Sequence, residues 1–234
     1  AWDTGARMRV AILVDPVSLR SRSPSESLRR TVRAVARCLR KQGHATFVAT
    51  VAQLKRLRPD LVFNLCESMG GDPRREWRAA AQAERMGLPM TGAPSAALRV
   101  ALDKALAKNT LRKSHIRVPR ACTPRSSRLR VPLIVKPRRE DASIGIDRGS
   151  VGRSRPELEK RLARLDVEAV VEEYIEGREF TVSILGGKVV ATAEMDFTRL
   201  PADRPRIVTY DGKWRPRSAE YRGTVPVCPA KVAP

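Results

Sequence analysis

The sequence predicts two α/β-type halves: an N-terminal open parallel α/β domain, then an α+β region with antiparallel strands. Three observations lead there. Near the N-terminus, short apolar runs alternate with a helical repeat: Arg9–Val14, a helix from Pro24, Ala45–Val51 and Leu61–Leu65. Strands separated by helical crossovers form parallel sheets. After Val131 the order changes to strand, hairpin, strand, with Gly186-Gly187 as a tight turn between two β-branched runs. Finally, 234 residues with 42% hydrophobic content can bury a real core in one or two domains.

Ala1–Arg7 has no period and reads as a leader, with Met8 as a candidate start. Ser23-Pro24-Ser25-Glu26 reads as a capping box with proline at the first helical position. Leu28, Val32, Val35 and Leu39 recur at helical spacing, and Gly43 ends that helix. Arg29, Arg33, Arg37 and Arg40 fall on its other faces, where solvation is the simplest fate. Asp15-Pro16 follows the first strand where a dinucleotide fold would carry G-x-G-x-x-G, which argues against that fold.

Arg75–Met86 predicts a helix closed by Gly87 and Pro89, and Ser95–Ser114 one long helix. Pro119–Pro132, rich in Pro, Ser and Arg, reads as a linker and hinge. Ser154-Arg155-Pro156-Glu157 is a second capping box, opening a helix to Leu165. Strands follow at Ala169–Ile175, Phe180–Leu185 and Val189–Phe197. His115 occupies a helix-ending position and reads as a left-handed residue.

Composition narrows the function. No apolar run approaches the roughly 20 residues of a membrane span, and no signal-peptide core opens the chain; cytoplasm is the default location. Cys38, Cys66, Cys122 and Cys228 are scattered without a CxxC and read as reduced thiols. The net charge is +21, which a polyanion partner would explain. The arginines are spread along the chain, however, and aromatics are only 4%, too few to make stacking platforms for bases. Nucleic acid is not the expected partner.

The chemistry concentrates between Pro132 and Glu179. The run PLIVKP brings Lys136 to the end of a strand, and a Gly-containing loop, Arg138–Ile146, follows at once. A second β-branched run delivers Glu172 and Glu173, and Glu179 opens a third strand. A lysine neutralises phosphate, a Ser/Gly loop offers amides to phosphate oxygens, and carboxylates accept from adenine and ribose donors. Alternation puts Glu172 and Tyr174 on one strand face, Glu173 and Ile175 on the other.

These motifs resemble the ATP-grasp ligases, specifically the D-alanine–D-alanine ligase group. The resemblance extends to DLVFNLCE (Asp60–Glu67), GLPMTGAPSAAL with DKALAK (Gly87–Lys108), and YDGKW with VPVCPA (Tyr210–Ala230). It implies an N-terminal pre-ATP-grasp domain over 8–98, a central subdomain over 99–176 and a C-terminal subdomain over 177–234. The implied chemistry is ATP-dependent carboxylate–amine ligation through an acyl-phosphate, with an amino acid or small peptide as substrate, Mg2+ as cofactor, homodimeric assembly, and a place in peptidoglycan precursor synthesis.

Residue by residue, the resemblance implies phosphate binding by Lys104 and Lys136 and by the loop residues Ser143, Ile144 and Gly145. It implies an adenine hinge at Glu172, Glu173, Tyr174 and Ile175, with Glu172 on the adenine side, and ribose binding by Glu179. Lys213 and Trp214 match a Lys-aromatic pair on a loop over the active site; with Ser143 they are the catalytic candidates, and Lys213 is also a nucleotide-binding candidate. Lys108 shares a helix face with Lys104 but is not expected to matter.

The sequence departs from the group at several points, among them the absence of the group's Gly-Gly and Glu-Arg-Glu signature after the first strand. Ala142-Ser143 offers one hydroxyl where a Ser pair is usual. Trp214 replaces a tyrosine. Cys66-Glu67 stands in place of His-Gly. The group's metal ligands fall after the VPVCPA segment, so no metal ligand is expected within this sequence, Glu194 and Asp196 reading as strand-face carboxylates. The expectation is a C-terminally truncated, inactive ligase; the alternative is a non-catalytic nucleotide- or nucleic-acid-binding basic protein that retains the fold.

Overall fold

The structure is a computed structural model, and it describes residues 6–20, 24–122 and 130–232. The chain divides into two compact units, Ala1–Leu106 and Ala107–Pro234. Most of the leader, and Ser23 of the first capping box, lie outside the described residues, as does the middle of the Pro119–Pro132 linker.

The first unit is built on a parallel sheet. β1 (Arg9–Leu13) is followed by α1 (Pro16–Arg20), α2 (Pro24–Lys41), β2 (Ala45–Ala49), α3 (Val51–Leu57) and β3 (Leu61–Asn64). The order is β2-β1-β3, with β1 central. A central strand covered on both faces needs a continuous apolar run, which Val10–Leu13 supplies. Its alternate residues serve two cores. Ala11 and Leu13 pack with Leu54 of α3, Val62 and two helical alanines, Ala79 and Ala83. Ile12 and Val14 pack against Leu28, Val32 and Ala36 of α2.

The predicted strand Ala45–Val51 stops at Ala49. Thr50 instead caps α3, its amide donating to Gln53 Oε1 at 2.9 Å, and Leu54 is drawn into the core. At the C-terminal end of β1, Asp15 is buried. It accepts from Ser68 Oγ at 2.6 Å, Gly71 N at 2.7 Å and Val17 N at 3.1 Å, which ties the loop after β3 to the sheet.

α4 (Glu76–Arg85) ends at Gly87, whose φ is +67°. The single helix expected over Ser95–Ser114 is two, α5 (Ser95–Leu102) and α6 (Lys104–Lys113). Asp103 breaks it: its backbone turns extended (φ −93°, ψ 102°) and its carboxylate accepts from the amides of Ala105 and Leu106, both at 3.1 Å. An aspartate that can bond its own downstream amides competes with helix continuation and becomes a cap. His115 closes α6 in the left-handed region at φ 58°, with Ile116 N bonding back to Leu111 O.

The second unit begins within α6. β4 (Leu133–Pro137), β5 (Val151–Gly152), α7 (Arg155–Ala163) and β6 (Ala169–Glu173) form an antiparallel sheet, β5-β4-β6, with one helix on it. Ser154 caps α7, accepting from Glu157 N, as its capping motif requires. One face of the sheet, with Leu133, Val135 and Val171, packs on Leu158 of α7. The remaining elements are β7 (Glu179–Leu185), β8 (Lys188–Asp196), α8 (Tyr210–Trp214), α9 (Ala219–Gly223) and β9 (Val225–Val227), with sheet order β7-β8-β9. Gly186 and Gly187, at φ 57° and 75°, make the predicted β7–β8 turn. YDGKW, expected in a loop, is a one-turn helix, because Thr209 Oγ1 accepts from Gly212 N at 3.0 Å and nucleates it.

Candidate nucleotide site

The site grows from the face of the β4–β6 sheet turned away from α7. Register sets it: Ile134 opposes Glu172 and Lys136 opposes Val170, so Ile134, Lys136, Glu172 and Tyr174 share that face. Glu172 is nearly inaccessible, at 2% exposure. It pairs with the ammonium groups of both Lys136 and Lys108, the latter one helical turn after Lys104 on α6. A carboxylate this dry needs cationic partners. The sequence puts Lys108 on the same helix face as Lys104 and gives no reason to expect it to matter; its pairing with Glu172 brings it to the site.

Glu173 points the other way. It accepts from Arg120 Nε at 2.6 Å and from Arg120 N at 3.1 Å, and these bonds hold its carboxyl below the usual range. Tyr174 packs with Ile134, Val151 and Ile207, and its hydroxyl donates to Arg206 O at 3.3 Å. Ile175 is 63% exposed just past the strand. The alternation predicted for Glu172 to Ile175 therefore separates a buried carboxylate held by two lysines from a half-buried one held by Arg120.

The loop after β4 is held from several directions. Ala142, Ser143 and Gly145 have φ of 51°, 60° and 71°. The amides of Ile144 and Ile146 close turns onto Asp141 O and Ser143 O, each at 2.9 Å. Only glycine suits position 145, because a Cβ there would lie 2.7 Å from the Pro137 ring. Arg161 of α7, itself buried, donates to Gly145 O and to Asp147 Oδ2. It is a second residue that sequence reasoning missed, since a charge on an amphipathic helix reads as solvated. Ser143 Oγ donates to Val208 O at 2.8 Å, so its proton is committed to the backbone. Tyr210 N donates to Ile146 O at 2.8 Å and Trp214 Nε1 to Ala142 O at 2.9 Å.

Glu179 opens β7. Desolvation pushes its carboxyl above the usual carboxylate range, while Lys213 and Lys136 pull it down, so both lysines act on this group. Glu194 and Asp196, the pair on one face of β8, are held by protein. Arg178 donates to both Glu194 oxygens at 2.6 Å, and Thr198 donates to Asp196 through its amide at 2.8 Å and its hydroxyl at 3.0 Å. Lys104 is the first residue of α6.

The geometry thus joins Lys108, Lys136 and Glu172 in the second unit, where residues 208–214 also hold the Ala142–Ile146 loop. Comparison with known proteins assigns that unit. The profile of the D-ala D-ala ligase C-terminus family matches residues 98–233, more than half the chain. The chain belongs to that family. It is 28% identical over 222 residues to the D-alanine–D-alanine ligase of Gluconobacter oxydans, covering 89% of this chain and 70% of that protein. It is also 28% identical over 222 residues to the uncharacterized protein y4sG of Sinorhizobium fredii, covering 87% of this chain and 65% of that protein. The D-alanine–D-alanine ligase of Pseudomonas entomophila is 28% identical over 180 residues, 54% of its length. The chain therefore spans between 54% and 70% of the length of these relatives. In fold it is similar to the D-alanine–D-alanine ligase from Bacillus anthracis crystallised with ATP. The TM-score is 0.68 at 20% identity, over 97% of this chain and 72% of that one. The parallel sheet followed by antiparallel strands is thus the ATP-grasp arrangement.

Proposed function

We propose that this chain carries the nucleotide site of an ATP-dependent carboxylate–amine ligase of the D-alanine–D-alanine ligase type. The observation that carries the reading is the pair of lysines, Lys136 and Lys108, oriented by one buried carboxylate beside a glycine-bearing loop. Family membership and the likeness in fold to a ligase crystallised with ATP support it.

In this reading Lys136 and Lys108 neutralise phosphate charge, and the amides of Ser143 and Gly145 face phosphate oxygens. Glu172 acts through the lysines that it holds. The backbone around Glu173, Tyr174 and Ile175 reads the adenine, and Glu179 accepts from a ribose hydroxyl.

The chemistry is a two-step transfer. A substrate carboxylate oxygen attacks the γ-phosphorus of ATP, ADP leaves, and an acyl-phosphate forms. The amine of a second substrate attacks the acyl carbon, phosphate leaves, and an amide remains. Positioning and charge stabilisation are the protein's contribution. The family implies magnesium. Among the described residues no three His, Cys, Asp or Glu side chains come together to hold an ion. Glu194 and Asp196 are occupied by Arg178 and Thr198. The described donor set does not fit the ion.

The test is ADP release with D-alanine, with L-alanine and with no amino acid. Any ADP release is expected to depend on the amino acid; the expectation of a C-terminally truncated, inactive ligase is no ADP release with any of the three. ATP turnover that is indifferent to every amino acid would refute the ligase reading.

A further inference from the structure

The loop after β4 contains an unfavourable turn. Ala142 and Ser143 lie in succession in the left-handed region, and neither is glycine. A Cβ disfavours that backbone, and such residues persist only where their surroundings hold them. One neighbouring segment does so. Trp214 Nε1 donates to Ala142 O at 2.9 Å, Ser143 Oγ to Val208 O at 2.8 Å, and Tyr210 N to Ile146 O at 2.8 Å. Residues 208–214 thus grip residues 142–146 at three points.

The Trp214 bond is matched to its partner. Alanine at 142 offers no hydroxyl to a facing side chain, whereas its carbonyl projects from the left-handed turn. The indole N–H is a donor only, and a backbone acceptor satisfies it fully. The residue is 40% exposed, so burial alone does not fix the ring. Lys213 is its neighbour on the one-turn helix α8, so fixing Trp214 also fixes the backbone that carries Lys213.

We propose that Trp214 is a positioning residue, an indole latch that pins the Ala142–Ser143 turn so that the loop amides and Lys213 face one nucleotide together. The proposal rests on the nucleotide reading above. It assigns Trp214 no contact with the reacting atoms; it acts through Ala142 O.

The experiment compares the wild type with Trp214→Phe, which keeps a ring and removes the donor. Three readouts are taken. The first is amide hydrogen exchange of residues 142–146 without nucleotide, read by mass spectrometry. It should rise about fivefold to tenfold in the variant, the factor that one net hydrogen bond supplies, while exchange in α7 stays unchanged. The second is the solvent exchange of the Trp214 indole proton in the wild type by NMR, which should be slow. The third is affinity: ATP binding should weaken by about the same factor, and adenosine binding should not change. Unchanged loop exchange, or a freely exchanging indole proton, overturns the latch. Raised loop exchange with unchanged ATP affinity overturns its positioning role. If the wild type binds no ATP, the nucleotide reading fails, and the two exchange measurements still decide the latch.

Discussion

Replacing Glu172 by glutamine tests the centre of the site. The side chain keeps its shape and loses its charge, which leaves the ammonium groups of Lys108 and Lys136 facing each other across a neutral amide. Removing one partner of a buried ion pair costs about 3–5 kcal/mol. Here the two lysine side chains retain 14% and 25% exposure, against 3% for Glu172, so each has a path towards water. That relief lowers the expected loss to about 2–4 kcal/mol for the second unit. Urea unfolding followed by hydrogen exchange on β4 and β6 would localise the loss to this sheet. A second consequence has the opposite sign. Phosphate oxygens can replace the missing carboxylate as partners of the lysines, so saturating ATP should stabilise E172Q more than the wild type. A loss below about 0.5 kcal/mol, the level of an ordinary surface substitution, would mean that the lysines do not depend on Glu172. A variant that ATP stabilises less than the wild type would refute the phosphate argument.

Other predictions follow from single contacts. Asp15 experiences burial, which raises its pKa, but bonds from Ser68, Gly71 and Val17 outweigh it and hold the group below its ordinary value. Its contribution is therefore present above the unfolded pKa of about 3.9 and is lost as pH falls through the lower folded value. Asp15→Asn should flatten the acid limb of a stability–pH curve; an unchanged limb would contradict this. The Cys66 thiol is pushed up to about 11 by burial, so it should resist alkylation at pH 8 in the native protein while exposed Cys38 and Cys228 react, as peptide mass spectrometry would show. Gly145→Ala combines a Cβ clash on Pro137 with a φ of 71° and should destabilise the loop by about 1–3 kcal/mol, visible as a lower Tm and weaker ATP binding.

Much of the architecture is legible in the sequence, because it follows from local rules. The apolar run at Val10–Leu13, the cap at Ser154, the stop at Gly43, the Gly186-Gly187 turn and the left-handed His115 each follow from a few adjacent residues. The errors also have local causes. Asp103 sits in a helical pattern, and only its own side-chain bonds reveal the break. Thr50 ends a β-branched run that could equally have continued as strand. What the sequence hides is partnership over distance. Lys108 meets a carboxylate supplied by β6, Arg161 reaches back to Gly145 and Asp147, and Trp214 finds a carbonyl 72 residues away. None of these pairs has a sequence signature, since each depends on two elements packing first. The resemblance of motifs marked Lys136, Glu172 and Glu179 individually, and the fold shows that the first two are joined.

The most direct test of the account is calorimetric titration of ATP into the wild type, Lys136→Ala and Lys108→Ala in parallel at fixed salt. The wild type should bind, and each variant should lose about 1.5–3 kcal/mol, the range for a hydrogen bond to a charged group. Wild-type affinity in both variants, or no ATP binding by the wild type, would contradict the assignment of this sheet face as a nucleotide site.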